Sequence, residues 1–121
     1  MTIEEQIETE TKKLLAMIVE AANLADRSAL PEEYYKIAQR ILSQKSYMTG
    51  LETQAEQSFE ARKLELRKEK ELSIAAAENE AKTELCYKLY KNIKDAVESA
   101  EDEVMLLKKM LTARDTEYQQ S

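Results

Sequence analysis

One proline, Pro31, and one glycine, Gly50, stand in 121 residues. Loops depend on these two types, because Gly supplies positive φ and Pro fixes φ and stops helices. A chain with so little punctuation has few places to turn. Beyond Gly50 no residue type forbids a helix for about 70 residues, a rod of about 100 Å at about 1.5 Å per residue. Such a chain builds rods, bundles and assemblies more readily than an enclosed enzyme pocket.

Composition agrees. Charged residues make up 35% and aromatics 6%, with no Trp and one Phe, as in long helices with narrow apolar seams. The length suits one domain. The balance of 24 acidic and 18 basic residues gives a net charge of −6. The first sixty residues carry 11 acids and 6 bases, the remainder 13 and 12. A strongly basic nucleic-acid binder does not fit these totals. The single cysteine, Cys86, points to a reducing, cytoplasmic setting. The acidic opening MTIEEQIETE does not look like a secretory leader, and no apolar run reaches membrane-spanning length.

Thr2-x-x-Glu5 has capping-box spacing, and Glu4, Glu5 and Glu8 suit a helix N-terminus. Ile7, Leu14, Ile18, Ala21 and Ala25 form one apolar face of a first helix that ends near Asp26. Residues 27–31 connect, with Ser28 as N-cap and Pro31 in the next first turn. A second helix carries Tyr34, Ile37, Ala38, Ile41, Leu42 and Met48, and is expected to break or kink at Thr49-Gly50. The alternative is one helix through Gly50, at a cost of about 1 kcal/mol relative to Ala.

From Leu72 a seam with alternating steps of four and three runs through Ala76, Asn79, Thr83, Cys86, Tyr90, Ile93, Val97, Ala100, Val104, Leu107 and Leu111. Upstream, Leu51, Ala55 and Phe59 start a seam out of phase with it. Between them, EARKLELRKEKEL (60–72) is highly charged and reads as an exposed helix or a turn between two arms. The expected architecture is all-α: two shorter helices, then a long helix or a broken pair, assembled as a coiled-coil or helical-bundle oligomer. Residues 1–49 form a helical hairpin, 50–118 a long coiled-coil-like segment, and 119–121 a frayed tail, within one domain. The oligomer interface is expected at Leu72, Tyr90, Ile93, Val97, Ala100, Val104, Leu107 and Leu111.

Without histidine there is no imidazole base and no His-containing metal site, and one Cys removes intrachain thiolate zinc sites. One Gly removes phosphate-binding glycine loops. Glu4-Glu5-x-x-Glu8 resembles the EExxE signature of MazG-type nucleotide pyrophosphohydrolases, but Asn23-x-x-Asp26 breaks that family's second acidic pair. No enzyme activity, cofactor or metal is expected. Cys86 reads as a buried structural thiol. Tyr90 reads as packing, and Tyr34, Tyr35 and Tyr47 as edges of an interface. The acidic stretch Asp95, Glu98, Glu101, Asp102 and Glu103 reads as a solvated face. The one dense basic run is Arg62, Lys63, Arg67, Lys68 and Lys70, with Glu60 and Glu71 in reach of Lys63 and Arg67. It is either a solvated charged helix or a phosphate-binding stripe that gains strength when subunits pool it.

SFEARKLELRKEKEL, the Ala-rich SIAAAENEAKTE and YKLYKNIKDAVESAEDEVMLLKKMLTARDTEY, over roughly residues 50–118, resemble small helical early proteins of tailed phages, similar to the UvsY-type recombination mediators. The resemblance implies a helical oligomer that binds single-stranded DNA and helps load a recombinase, with a recombinase or single-strand-binding protein as partner. It puts the basic segment on Arg62, Lys63, Arg67, Lys68 and Lys70 and the assembly helix on Ile93 to Leu111. The glycine and aromatic residues next to the family's basic segment are missing here. The reading from another class is a scaffold, adaptor or inhibitor of a host system that acts through protein contacts alone.

Overall fold

The computed structural model describes residues 2–26 and 30–120, and side chains through residue 113 except those of 25–29. The described residues form four helices and no strand: α1 (Ile3–Asp26), α2 (Pro31–Lys70), α3 (Ile74–Ala81) and α4 (Leu85–Gln120). None is long and apolar enough to cross a membrane.

α1 begins where its cap dictates: the Glu5 amide donates to Thr2 Oγ1 at 3.2 Å. α2 starts with Pro31 at its first position, where a missing N–H costs nothing. The Glu33 carboxylate accepts from the Leu30 amide at 2.9 Å. Ser28, the expected cap, lies outside the described residues.

The break expected at Gly50 does not occur. α2 runs unbroken through it, 40 residues and about 60 Å in all, so the boundary at 49/50 falls inside a helix. Gly50 is exposed, and a Cβ there would meet no atom within 4 Å. The propensity cost of about 1 kcal/mol is outweighed by burying Met48, Leu51 and Ala55 on the same helix.

The turn comes instead at residues 71–73, with neither Gly nor Pro. Glu71 adopts the left-handed conformation (φ 52°) that ends many helices. Ser73 then caps α3, its Oγ accepting from the Ala76 amide at 3.2 Å. The continuous seam expected from Leu72 is interrupted as well. Thr83 closes α3, its hydroxyl donating to the Glu80 carbonyl at 2.7 Å, and Asn79 is exposed.

α1 and α2 run antiparallel, tied by Gln6 to the Tyr47 hydroxyl (3.0 Å), Gln44 to Glu10 (2.6 Å) and Arg40 to Glu20 (3.0 Å). α4 returns antiparallel to α2, tied by Lys45 to Glu101 (3.0 Å) and Arg62 to Glu84 (2.5 Å). α1 and α4 also pack on each other, completing a three-helix bundle. Its core joins Ile7, Leu14 and Ala21 of α1, Tyr34, Ile37, Ile41, Met48, Leu51 and Ala55 of α2, and Leu89 to Leu107 of α4. A second cluster holds Phe59 and Leu66 of α2 with Ala77 and Ala81 of α3. Leu66, read as part of an exposed segment, is fully buried: the small alanines of α3 give it a place to pack.

Candidate functional site

The five basic residues of the expected phosphate stripe all lie on the last three turns of α2, but carboxylates hold most of them. Arg62 donates through Nε to Glu84 and through a second nitrogen to Glu65 at 3.1 Å. Those bonds, led by Glu84, hold the guanidinium more firmly protonated and pull the Glu84 carboxyl below its ordinary range. Lys63 pairs with Glu60 at 2.8 Å, which raises its pKa, and its ammonium lies 4.8 Å from the centre of the Phe59 ring. Lys70 pairs with Glu80. Arg67 and Lys68 are exposed and make no ion pair among the described residues. The Arg67–Glu71 contact foreseen from spacing is absent from the described ion pairs, since Glu71 has left the helix.

The residues expected at an oligomer interface face inward along the same chain. Ile93, Val97, Ala100, Val104 and Leu107 are buried in the core with α1 and α2. Tyr90 and Leu111 pack at its margin, and Leu72 packs on the second cluster. The need to cover this seam is therefore met without another copy.

Tyr90 and Tyr87 lie against Phe59, with ring centroids 5.9 and 5.0 Å away. Tyr34 is core rather than edge: it is 1% exposed, its hydroxyl donating to the Leu24 carbonyl at 3.4 Å. Tyr35 and Tyr47 are exposed. Cys86 is half-buried, and burial raises its thiol pKa, so it is held as the unreactive thiol. Glu4, Glu5, Glu8 and Asn23 are exposed, and the Asp26 side chain lies outside those described. Among the described residues no three Cys, Asp or Glu side chains come together to hold a metal ion.

A feature the sequence did not disclose is a groove between α1 and α4. It has a volume of about 520 Å³, with Ile7, Thr11, Leu89 and Ala96 in its floor. Leu15, Asn92 and Ser99 border it, together with Glu8, Lys12 and Asp95. Leu15 is 45% exposed, and Val19, the next turn along α1, is 60% exposed. On α4 the lining residues other than Asp95 belong to a second ridge, Leu85, Leu89, Asn92, Ala96, Ser99, Glu103 and Leu106, one residue out of register with the expected seam. Its apolar ends, Leu85 and Leu106, are exposed. Reading one seam on α4 hid the other; the signal was the pair of adjacent apolar positions at 89/90, 96/97 and 106/107.

No known protein family, curated protein or solved structure matches the chain.

Proposed function

We propose that the chain is a non-enzymatic helical adaptor that acts through protein–protein contacts. The observation that carries this reading is the groove, with Leu15 exposed at its border and Val19 and Leu106 exposed on the same two helices. Aligned exposed apolar side chains on a stable bundle mark a contact surface. The basic segment counts for less, because Glu84, Glu60 and Glu80 already neutralise three of its five cations. A photoreactive amino acid placed at Leu15 in the native cell should give covalent adducts with protein. Adducts that nuclease removes would contradict the adaptor reading.

The second reading is a recombination-mediator-like protein that binds single-stranded DNA and works with a recombinase or single-strand-binding protein. Arg67 and Lys68 favour it, being adjacent, exposed and without carboxylate partners among the described residues. Two contacts per chain bind phosphates usefully only if several copies pool them, with a steep loss of affinity on adding salt. Anisotropy of a labelled oligonucleotide at low salt decides this: binding lost on Arg67→Ala with Lys68→Ala supports DNA contact, and no binding by either protein excludes it.

A further inference from the structure

We propose that α3 is an autoinhibitory strap: it lies over the basic and aromatic end of α2 and gives way when single-stranded DNA binds there. This rests on the DNA-binding reading and adds its regulation.

The cover is acidic. Residues 60–72 carry five bases against four acids, and residues 73–84 carry Lys82 against Glu78, Glu80 and Glu84. The segment that follows α2 therefore turns a weakly basic surface into an acidic one. Two of its carboxylates sit directly on the cations: Glu80 pairs with Lys70, and Glu84 accepts from Arg62 Nε at 3.0 Å. When α3 leaves, Lys70 is released and Arg62 keeps only Glu65, beside Arg67 and Lys68, which have no ion pair among the described residues.

What the strap covers suits a single strand. Phe59 and Leu66 are buried in one cluster with Ala77 and Ala81 of α3, and Tyr87 and Tyr90 lie against the Phe59 ring. Each of the three rings has an ammonium beside it. Lys63 is 4.8 Å from the centre of Phe59, Lys82 is 5.9 Å from that of Tyr87, and Lys94 is 5.9 Å from that of Tyr90. Single strands bind where bases can stack on rings and phosphates can meet nearby cations. Phe59 is 4% exposed, so no base reaches it while α3 is in place.

Little holds the strap down. α3 has eight residues, and isolated helices shorter than about 12–15 are marginal in water. It packs on α2 and makes no comparable contact with α1 or α4. Its buried side chains are two alanines. Before it, Glu71 holds a left-handed φ of 52°, which few residues other than Gly, Asn and Asp keep. Ion pairs this near water contribute little, so exchanging the strap's carboxylates for phosphates is easy. The turns at 71–73 and 82–84 let α3 open while α2 and α4 stay packed.

The test uses the full chain and a labelled oligothymidylate of about 20 nucleotides at low salt, followed by anisotropy. The wild type should bind weakly. Glu80→Gln with Glu84→Gln should tighten binding roughly tenfold. Glu5→Gln with Asp102→Asn makes the same change of net charge far from the strap and should tighten it less than about twofold. Ala75→Gly with Ala77→Gly weakens α3 with no change of charge and should tighten binding about threefold. Adding the oligonucleotide to the wild type should speed amide exchange in α3 and leave Ile93 to Leu107 protected. Slower or unchanged exchange in α3 would overturn the proposal. So would equal tightening by the two charge variants, or no tightening by the glycine variant. If the wild type binds through Arg67 and Lys68 and the α3 variants bind no better, the strap fails and the DNA reading stands. If no variant binds, both fail and the adaptor reading is untouched.

Discussion

Around Ile41 and Ile93, three helices enclose a core of aliphatic side chains contributed by all three. Beyond Phe59 the same α2 helix has left α1 behind, and its partners are an eight-residue helix and the first turns of α4. There the buried side chains are Phe59, Leu66, Ala77 and Ala81, flanked by the Arg62–Glu84 and Lys70–Glu80 pairs. The proximal bundle is held by apolar area. The distal arm is held by one buried leucine, an aromatic cluster and ion pairs near water, which contribute little each. A single unbroken helix therefore joins a region with a large shared core to one with a small core of its own.

The largest effect should come from charge in the proximal core. Ile93 is fully buried, and Ile93→Asp should unfold the whole chain, seen as loss of helical circular dichroism. Survival of a folded monomer would break the claim that this core carries the fold. Next, Leu66→Ala should cost about 2–5 kcal/mol, confined to the arm. Amide signals of α3 should lose protection while those around Ile93 keep theirs; equal loss in both would join the two regions into one cooperative unit. Smaller is Gly50→Ala, which should raise the unfolding free energy by about 1 kcal/mol, since the new Cβ meets open space in mid-helix. A loss of stability there would mean that α2 bends at Gly50 in solution.

Acid should act in opposite directions on two sites. The Glu84 carboxyl lies below its ordinary value because Arg62 hydrogen-bonds its ionised form. Its contribution is complete above the unfolded value and is lost as pH falls through the folded one. The Glu103 carboxyl lies above its ordinary value through burial. Keeping it ionised costs stability above its folded value, and that cost shrinks as pH falls below the folded value and is gone below the ordinary unfolded one. Exchange measured from neutral to about pH 3 should show the amides around Glu84 loosening at the acid end. Those around Glu103 should tighten as the pH falls towards the ordinary carboxylate range. Parallel loosening at both sites would contradict the opposed shifts.

Much of the proximal bundle was legible in the residues. Thr2 capped α1 as its spacing required, and the 93–107 seam was buried as its period required. The partner of that seam was not legible: a periodic apolar face shows that something covers it, without showing whether the cover is another copy or α1 and α2. Gly50 misled because a propensity penalty is small beside the burial of its neighbours. The turn at 71–73 stayed hidden because Glu71 takes a conformation that usually signals glycine. The basic stripe was read from sign and spacing, yet the neutralising Glu84 lies 22 residues from Arg62 and comes close only when α4 folds back.

Native-state hydrogen exchange across the intact chain tests the division most directly. Amides of α3 and of α2 after Phe59 should exchange through a local opening of lower free energy than the amides of α4 between Ile93 and Leu107. Only the latter should approach the free energy of global unfolding. A single free energy shared by both sets, unchanged by Leu66→Ala, would contradict it.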